Sequence, residues 1–182
     1  MEKVLRNILV NIICIAALAS LTSCAGWDPN KEQKDADEVK MTITRFLETD
    51  PGLKSFFDQA YGYAIFPTAG KGAYIVGGTY GKGMVYEKGN LVGYATIVEA
   101  SIGLQIGGQG FSEVIFFRDK ATLDDFKTGN FAFNAQASAV AVNAGVAAKT
   151  GYDSGVALFM MPKGGLMAEA SVGGQKFTFE PK

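Results

Sequence analysis

The chain has 182 residues, 17 basic and 18 acidic, with 48% of them hydrophobic and no histidine. Without histidine, Ser-His and Cys-His nucleophilic pairs are excluded, as are the usual zinc sites, so the expectation is a non-enzyme that needs no cofactor or metal. A net charge of −1 with no long basic run argues against nucleic acid, whose binding rests on neutralising many phosphates.

Residues 1–23 read as an export signal. Lys3 and Arg6 form a basic start, and Ile8 to Leu21 is an apolar run of 14 residues, short of the roughly 20 needed to span a bilayer. The run ends in "LTSC", and Leu21-Thr22-Ser23-Cys24 resembles the bacterial lipobox, which implies cleavage before an acylated, palmitate-bearing Cys24. Residues 24–182 then keep 15 basic and 17 acidic residues and a single cysteine, because Cys14 leaves with the signal. No intrachain disulfide is possible, and the domain must stand on its hydrophobic core.

Residues 24–29 read as a tether and residues 30–182 as one domain. After Cys24 the six residues "AGWDPN", Ala25 to Asn30, reach at most about 20 Å, which holds the domain close to the lipid headgroups. In "KEQKDADEVKMTITRFLETD", Val39, Ile43, Phe46 and Leu47 form one stripe of an amphipathic helix. A second helix follows, with Asp50 as N-cap, Pro51 at the first helical position, Leu53, Phe56, Phe57 and Ala60 on its apolar face, and Gly62 as its stop.

From Tyr63 the period changes to two. "GYAIF", "GAYIVGGTY", "GMVYE" and "FSEVIFF" read as strands, and "EKGN" as a short hairpin loop. In "LVGYATIVEASIGLQIG", bulky Val92, Tyr94, Val98 and Ile102 alternate with small Gly93, Ala95, Ser101 and Gly103. Such alternation fits a strand buried on both sides, or one lining a tightly curved sheet. One helix interrupts: "DKATLDDFKTG" has Asp119 as N-cap, Leu123 and Phe126 on one face and Gly129 as stop. "FAFNAQASAVAV" reads as an antiparallel strand wet on one face, and "VALFMM", "GLMAEASV" and "QKFTFE" close the chain, the last two joined by Gly173-Gly174. The expected class is α+β: N-terminal helices packed on a glycine-rich, strongly curved, mainly antiparallel sheet or barrel-like layer with one inserted helix.

The segment "GLQIGGQG", Gly103 to Gly110, poses a choice between a phosphate cradle and close packing. A P-loop needs glycine five residues before its Gly-Lys, then Ser or Thr. For Gly70-Lys71 the upstream residue is Ile65 and the following one Gly72; for Gly81-Lys82 they are Val76 and Gly83. A dinucleotide fingerprint needs a strand-to-helix junction, whereas "GGQGFSEV" runs between strand-like sequences. Thirteen of the 23 glycines lie between Gly62 and Gly110, and glycine in strands permits bulges and close backbone approach. The packing reading is therefore the better one, and no nucleotide is expected.

Two sets of polar residues remain. Glu99, Glu113 and Glu169 sit in apolar or small stretches; paired in a cleft they would support acid-base chemistry, while the plainer reading makes them solvated or rim positions. Lys71, Lys82, Lys88 and Lys163 stand beside glycines in predicted turns, and if they converged they would form a basic rim able to meet an anionic surface.

The long block from Tyr61 to Phe117 resembles the core of the SYLF domain, in its Gly-Tyr-x-x-Phe-Pro start at Gly62, its Gly-Gly-x-Tyr-Gly-x-Gly stretch at Gly77 and its Gly-Leu-Gln-Ile-Gly-Gly-Gln segment at Gly103. "LDDFKTGNFAFNAQASAVA" and "PKGGLMAEASV" resemble its later blocks, and the similarity covers roughly Leu53 to Phe179. The resemblance implies lipid binding: eukaryotic members bind phosphoinositides and, in some fungi, actin, and bacterial members are often lipoproteins. A lipidated cysteine here takes the place of the eukaryotic amphipathic helix, and export sets actin regulation aside. By resemblance to lipoprotein sorting in Gram-negative bacteria, Ala25 after the anchor implies the periplasmic face of the outer membrane. The expectation is a non-catalytic envelope lipoprotein that binds phospholipid, with Cys24 as anchor and Lys71, Lys82 and Lys163 as headgroup contacts. The alternative is an envelope structural or protein-interaction module with a protein partner.

Overall fold

Every fourth or third residue of Val39, Thr42, Ile43, Phe46 and Leu47 lies on one side of a helix, and the chain folds accordingly. In the computed structural model, which describes residues 29–71, 78–100, 110–129, 140–163 and 175–182, this helix is α1 (Pro29–Thr49). Val39, Thr42 and Phe46 are buried and Ile43 and Leu47 partly so. Fully burying one such side chain stabilises by about 1.5–3 kcal/mol, which offsets the polar composition of the rest of the helix.

Helix α2 (Leu53–Gln59) starts two residues later than its sequence signals indicate. Asp50 does not cap it. The Asp50 carboxylate instead accepts from the backbone N–H of Gly52 at 3.0 Å and of Ala147 at 2.7 Å, tying the α1–α2 corner to a distant loop. Gly62 likewise is not the helix stop, since the chain leaves the helix at Ala60 and Gly62 opens the first strand.

The strands are β1 (Gly62–Lys71), β2 (Gly78–Glu87), β3 (Asn90–Ala100), β4 (Gly110–Phe117), β5 (Val140–Ala141), β6 (Val156–Pro162) and β7 (Gln175–Pro181). They form one open sheet in the order β5-β6-β4-β1-β2-β3-β7. Every pairing is antiparallel except β5 with β6. The class is thus α+β with a mixed sheet, and the barrel-like alternative is corrected: β5 and β7 stand at opposite ends of the strand order and do not close on each other. The antiparallel expectation for "FAFNAQASAVAV" is also corrected where it is described, because Val140 and Ala141 run parallel to Phe159 and Met160; residues 130–139 lie outside the described residues.

Strand β1 passes straight through Pro67, which ends a strand when read from sequence. A bulge between Ile65 and Thr68 absorbs the missing N–H, and the Ser112 hydroxyl donates to the Pro67 carbonyl at 2.7 Å. The β2–β3 hairpin turns on Lys88 and Gly89, at φ 49° and 80°, the paired left-handed residues that a two-residue hairpin favours.

The sheet buries apolar side chains on both faces. One face carries Phe66, Ile97, Phe111, Phe117 and Phe177, covered by Leu123 and Phe126 of α3 (Lys120–Lys127). Asp119 caps α3 as its sequence indicates, its carboxylate accepting from Thr122 N–H at 3.0 Å, and Gly129 at φ 73° ends it. The other face carries Ile65, Met84, Val114, Phe116 and Phe159 against Val39 and Phe46 of α1 and Leu53 and Phe56 of α2. Phe56 meets Phe159 edge-on at 5.0 Å and Phe57 meets Phe116 edge-on at 4.8 Å, the geometry that opposite ring edges and faces prefer.

Candidate functional site

Glycine positions in β2 and β3 decide what can lie on the inner face. A Cβ on Gly83 would fall 2.5 Å from the Ile65 carbonyl and 2.5 Å from the Phe66 ring; one on Gly93 would fall 2.5 Å from the Phe179 ring. On Gly81 it would meet the Ala69 Cβ at 2.7 Å. Here the glycines are floors on which aromatic rings and a neighbouring strand rest. Of the "GLQIGGQG" segment only Gly110 is described, at the start of β4 with its carbonyl accepting from the Lys163 N–H at 2.8 Å; Gly103, Gly107 and Gly108 lie outside the described residues.

The lysines divide by end of the sheet. Lys82 of β2 pairs in register with Thr68 of β1, and the Lys163 ammonium donates to the Thr68 hydroxyl. Both lysines are exposed. Lys71 closes β1 at the same end, its backbone paired with Thr79; its side chain lies outside what is described. Lys88 is at the other end, in the hairpin turn, with its ammonium 5.0 Å above the Tyr61 ring. Three of the four lysines therefore share an end and the fourth does not. Cys24 lies outside the described residues.

Sequence reading misses Lys176. It is exposed in β7, opposite Val98 of β3. The alternation in "QKFTFE" marks it as outward-facing, but nothing in the sequence tells that β7 lies against β3 and so brings this lysine to the same end.

Among the glutamates, Glu113 corrects the solvated or rim expectation. It is fully buried on the inner face of β4, where its Oε2 accepts from the Gln175 side-chain amide at 3.3 Å. Glu99 is in register with Gln175, its side chain outside the described part, and Glu169 lies outside the described residues. At the opposite end, Glu87 accepts from Tyr61 at 2.9 Å and is ion-paired with Lys127, which ties α3 to the hairpin. The Lys127 and Tyr61 hydrogen bonds hold the Glu87 carboxyl below its ordinary value, and the same bond pushes the Tyr61 phenol up. Burial, with Tyr86 stacked at 4.9 Å, pushes the Tyr63 phenol up to about 12. These pairs join structural elements.

Residues 98–182, from the end of β3 to the last strand, match the family model described as "Ysc84: Las17-binding protein actin regulator". This C-terminal part of the chain is thus similar to the Ysc84/SYLF family. It is also similar to a protein described as "Beta cell expansion factor A" from Aeromonas veronii, 29% identical over 156 residues, an alignment that covers 81% of this chain. The chain spans 59% of that relative's length. The matched segment supplies β4, α3, β5, β6 and β7, hence Lys163, Lys176 and the buried Glu113–Gln175 pair.

Proposed function

We propose that the chain is a non-catalytic lipoprotein of the bacterial outer membrane, anchored through Cys24, whose SYLF-family domain binds phospholipid. The observation that carries this reading is the gathering of exposed Lys82 and Lys163 at one end of the sheet, with Lys71 closing β1 there. Ammonium groups on an exposed edge meet lipid phosphates without being desolvated, each contributing up to about 1 kcal/mol near an anionic surface. The anchor adds residence. One acyl chain binds reversibly, several bind stably, so a lipidated Cys24 would keep the domain at a bilayer while the lysines orient it.

A strongly curved sheet is part of the proposal. Glu113 and Gln175 touch across the inner face, although β4 and β7 are separated in the strand order by β1, β2 and β3. On a flat sheet those four steps span roughly 19 Å. Two extended side chains and a hydrogen bond reach only about 13 Å, which supports a sheet bent over the Phe66–Phe177 cluster.

The test uses the chain from Ala25 onward, which lacks the anchor but keeps every described element. Co-sedimentation with anionic vesicles above that with neutral vesicles or none is the expected result. Equal recovery in all three removes lipid recognition by the domain. The family description names a protein-binding member, which favours a second reading, an envelope protein-interaction module. Crosslinking in cells that captures one stoichiometric protein partner, together with equal vesicle recovery, would favour it.

A further inference from the structure

Strand alternation puts Tyr80 and Lys82 of β2, Thr96 and Val98 of β3, and Lys176 and Thr178 of β7 on the face opposite the Phe66–Phe177 cluster; α1 and α2 pack on this face further along, at Met84 and Tyr94, while Tyr80, Lys82, Val98, Lys176 and Thr178 form its exposed outer part. Tyr80 and Val98 stand directly across from each other and are 54% and 48% exposed. Lys176 is the next residue in that row; Lys82 begins the adjacent row, beside Thr68 and the Lys163 ammonium. Among the described residues Lys82, Lys163 and Lys176 have no ion pair. Among the described side chains the nearby carboxylates include Glu38, which accepts from the Thr68 hydroxyl, and Glu180, opposite Tyr94 further along β3; Glu99 follows Val98 in β3, its side chain outside the described part.

Single exposed apolar residues are ordinary, but a tyrosine and a valine in contact register and framed by three lysines need a reason. Resting on the phospholipid reading above, we propose that this outer face of β2, β3 and β7 is the surface that docks on an anionic bilayer. Tyr80 and Val98 enter at headgroup level, where an amphipathic ring is stable, and the lysine stems lie along them with their ammonium groups at the phosphates. Charge complementarity chooses this occupant. A protein partner wants about 800 Å² of surface per side with an apolar centre depleted of lysine, and two apolar side chains ringed by cations do not supply it.

The chain from Ala25 contains no cysteine, so one introduced cysteine carries an environment-sensitive dye at a chosen place. With vesicles containing phosphatidylglycerol, a dye at Thr178→Cys should shift to the blue, and one at Asp124→Cys, on α3 over the other face, should not. Replacing Lys82, Lys163 and Lys176 together by Gln should weaken vesicle binding on the order of 100-fold at low salt, with an unchanged circular dichroism spectrum. Tyr80→Ser with Val98→Ser should weaken it independently. Binding by the unsubstituted chain with the response at 124 instead of 178, or undiminished binding by the triple variant, overturns the docking face while leaving lipid binding in place. A dye at 178 already shielded before vesicles are added overturns it too, since a second copy or another segment then covers the face. If the unsubstituted chain binds no vesicles, the phospholipid reading falls and takes this inference with it.

Discussion

Gly83 shows how a single missing methyl group sets the packing. Its place in β2 leaves room for the Phe66 ring and the Ile65 carbonyl, each within 2.5 Å of where a Cβ would be. Because one of those neighbours is backbone, relaxation is expensive, and Gly83→Ala should destabilise by about 1–3 kcal/mol, read as a lower urea midpoint at unchanged slope. Gly151, with no atom within 4 Å of its added Cβ and no left-handed φ, is the control, and Ala there should stay within about 0.5 kcal/mol. Asp50 is a second residue with a distinct signature. Burial pushes its carboxyl up, but backbone N–H groups of Ala147, Gly52, Gly145 and Val146 outweigh this and hold it below the ordinary value. A carboxyl lowered in the folded state contributes its full stability above the unfolded-state value and loses it as pH falls through the folded one. Asp50→Asn should therefore cost about 1–3 kcal/mol at neutral pH. The gap between the two proteins should narrow as the pH drops below about 4, measured by urea unfolding across that range. Sequence made the glycines legible as sites of close approach, but not which ring lies on which glycine, because that depends on strands far apart in the chain.

At the scale of elements, α3 is the most legible piece. Its cap, apolar face and stop are all local, and Asp119, Leu123, Phe126 and Gly129 each do what their spacing indicates. Asp119→Ala should accordingly cost about 1 kcal/mol, and Leu123→Ala about 2–5 kcal/mol, since Leu123 is fully buried; thermal unfolding of the two variants checks the order. β1 and β5 are less legible, for different reasons. Pro67 reads as a strand end because it lacks an N–H, and only the bulge and Ser112 across the sheet show how the strand survives it. The direction of β5 is set by which neighbour it finds, and alternation alone carries no sign of parallel or antiparallel pairing. The α1–α2 corner is a third case. Asp50 looks like a cap by position, yet its second acceptor oxygen is used by Ala147, nearly a hundred residues on.

Across the whole molecule, a sheet clothed by α1 and α2 on one face and by α3 on the other leaves an outer region of β2, β3 and β7 open among the described residues. The class, the N-terminal helices and the inserted helix follow from period and punctuation. The strand order does not, so the meeting of Lys82, Lys163 and Lys176 and the burial of Glu113 emerge only in three dimensions. Lys88 makes the same point in reverse: a lysine-glycine pair like the others in sequence, it sits at the far end over Tyr61. The measurement that tests the central claim most directly is the binding isotherm of the chain from Ala25 on vesicles of increasing phosphatidylglycerol content, repeated as sodium chloride is raised. Recovery that climbs with anionic lipid and falls several-fold between about 0.05 and 0.5 M salt, as screening shortens to a few ångströms, is the result predicted. An isotherm indifferent to both lipid charge and salt would contradict it.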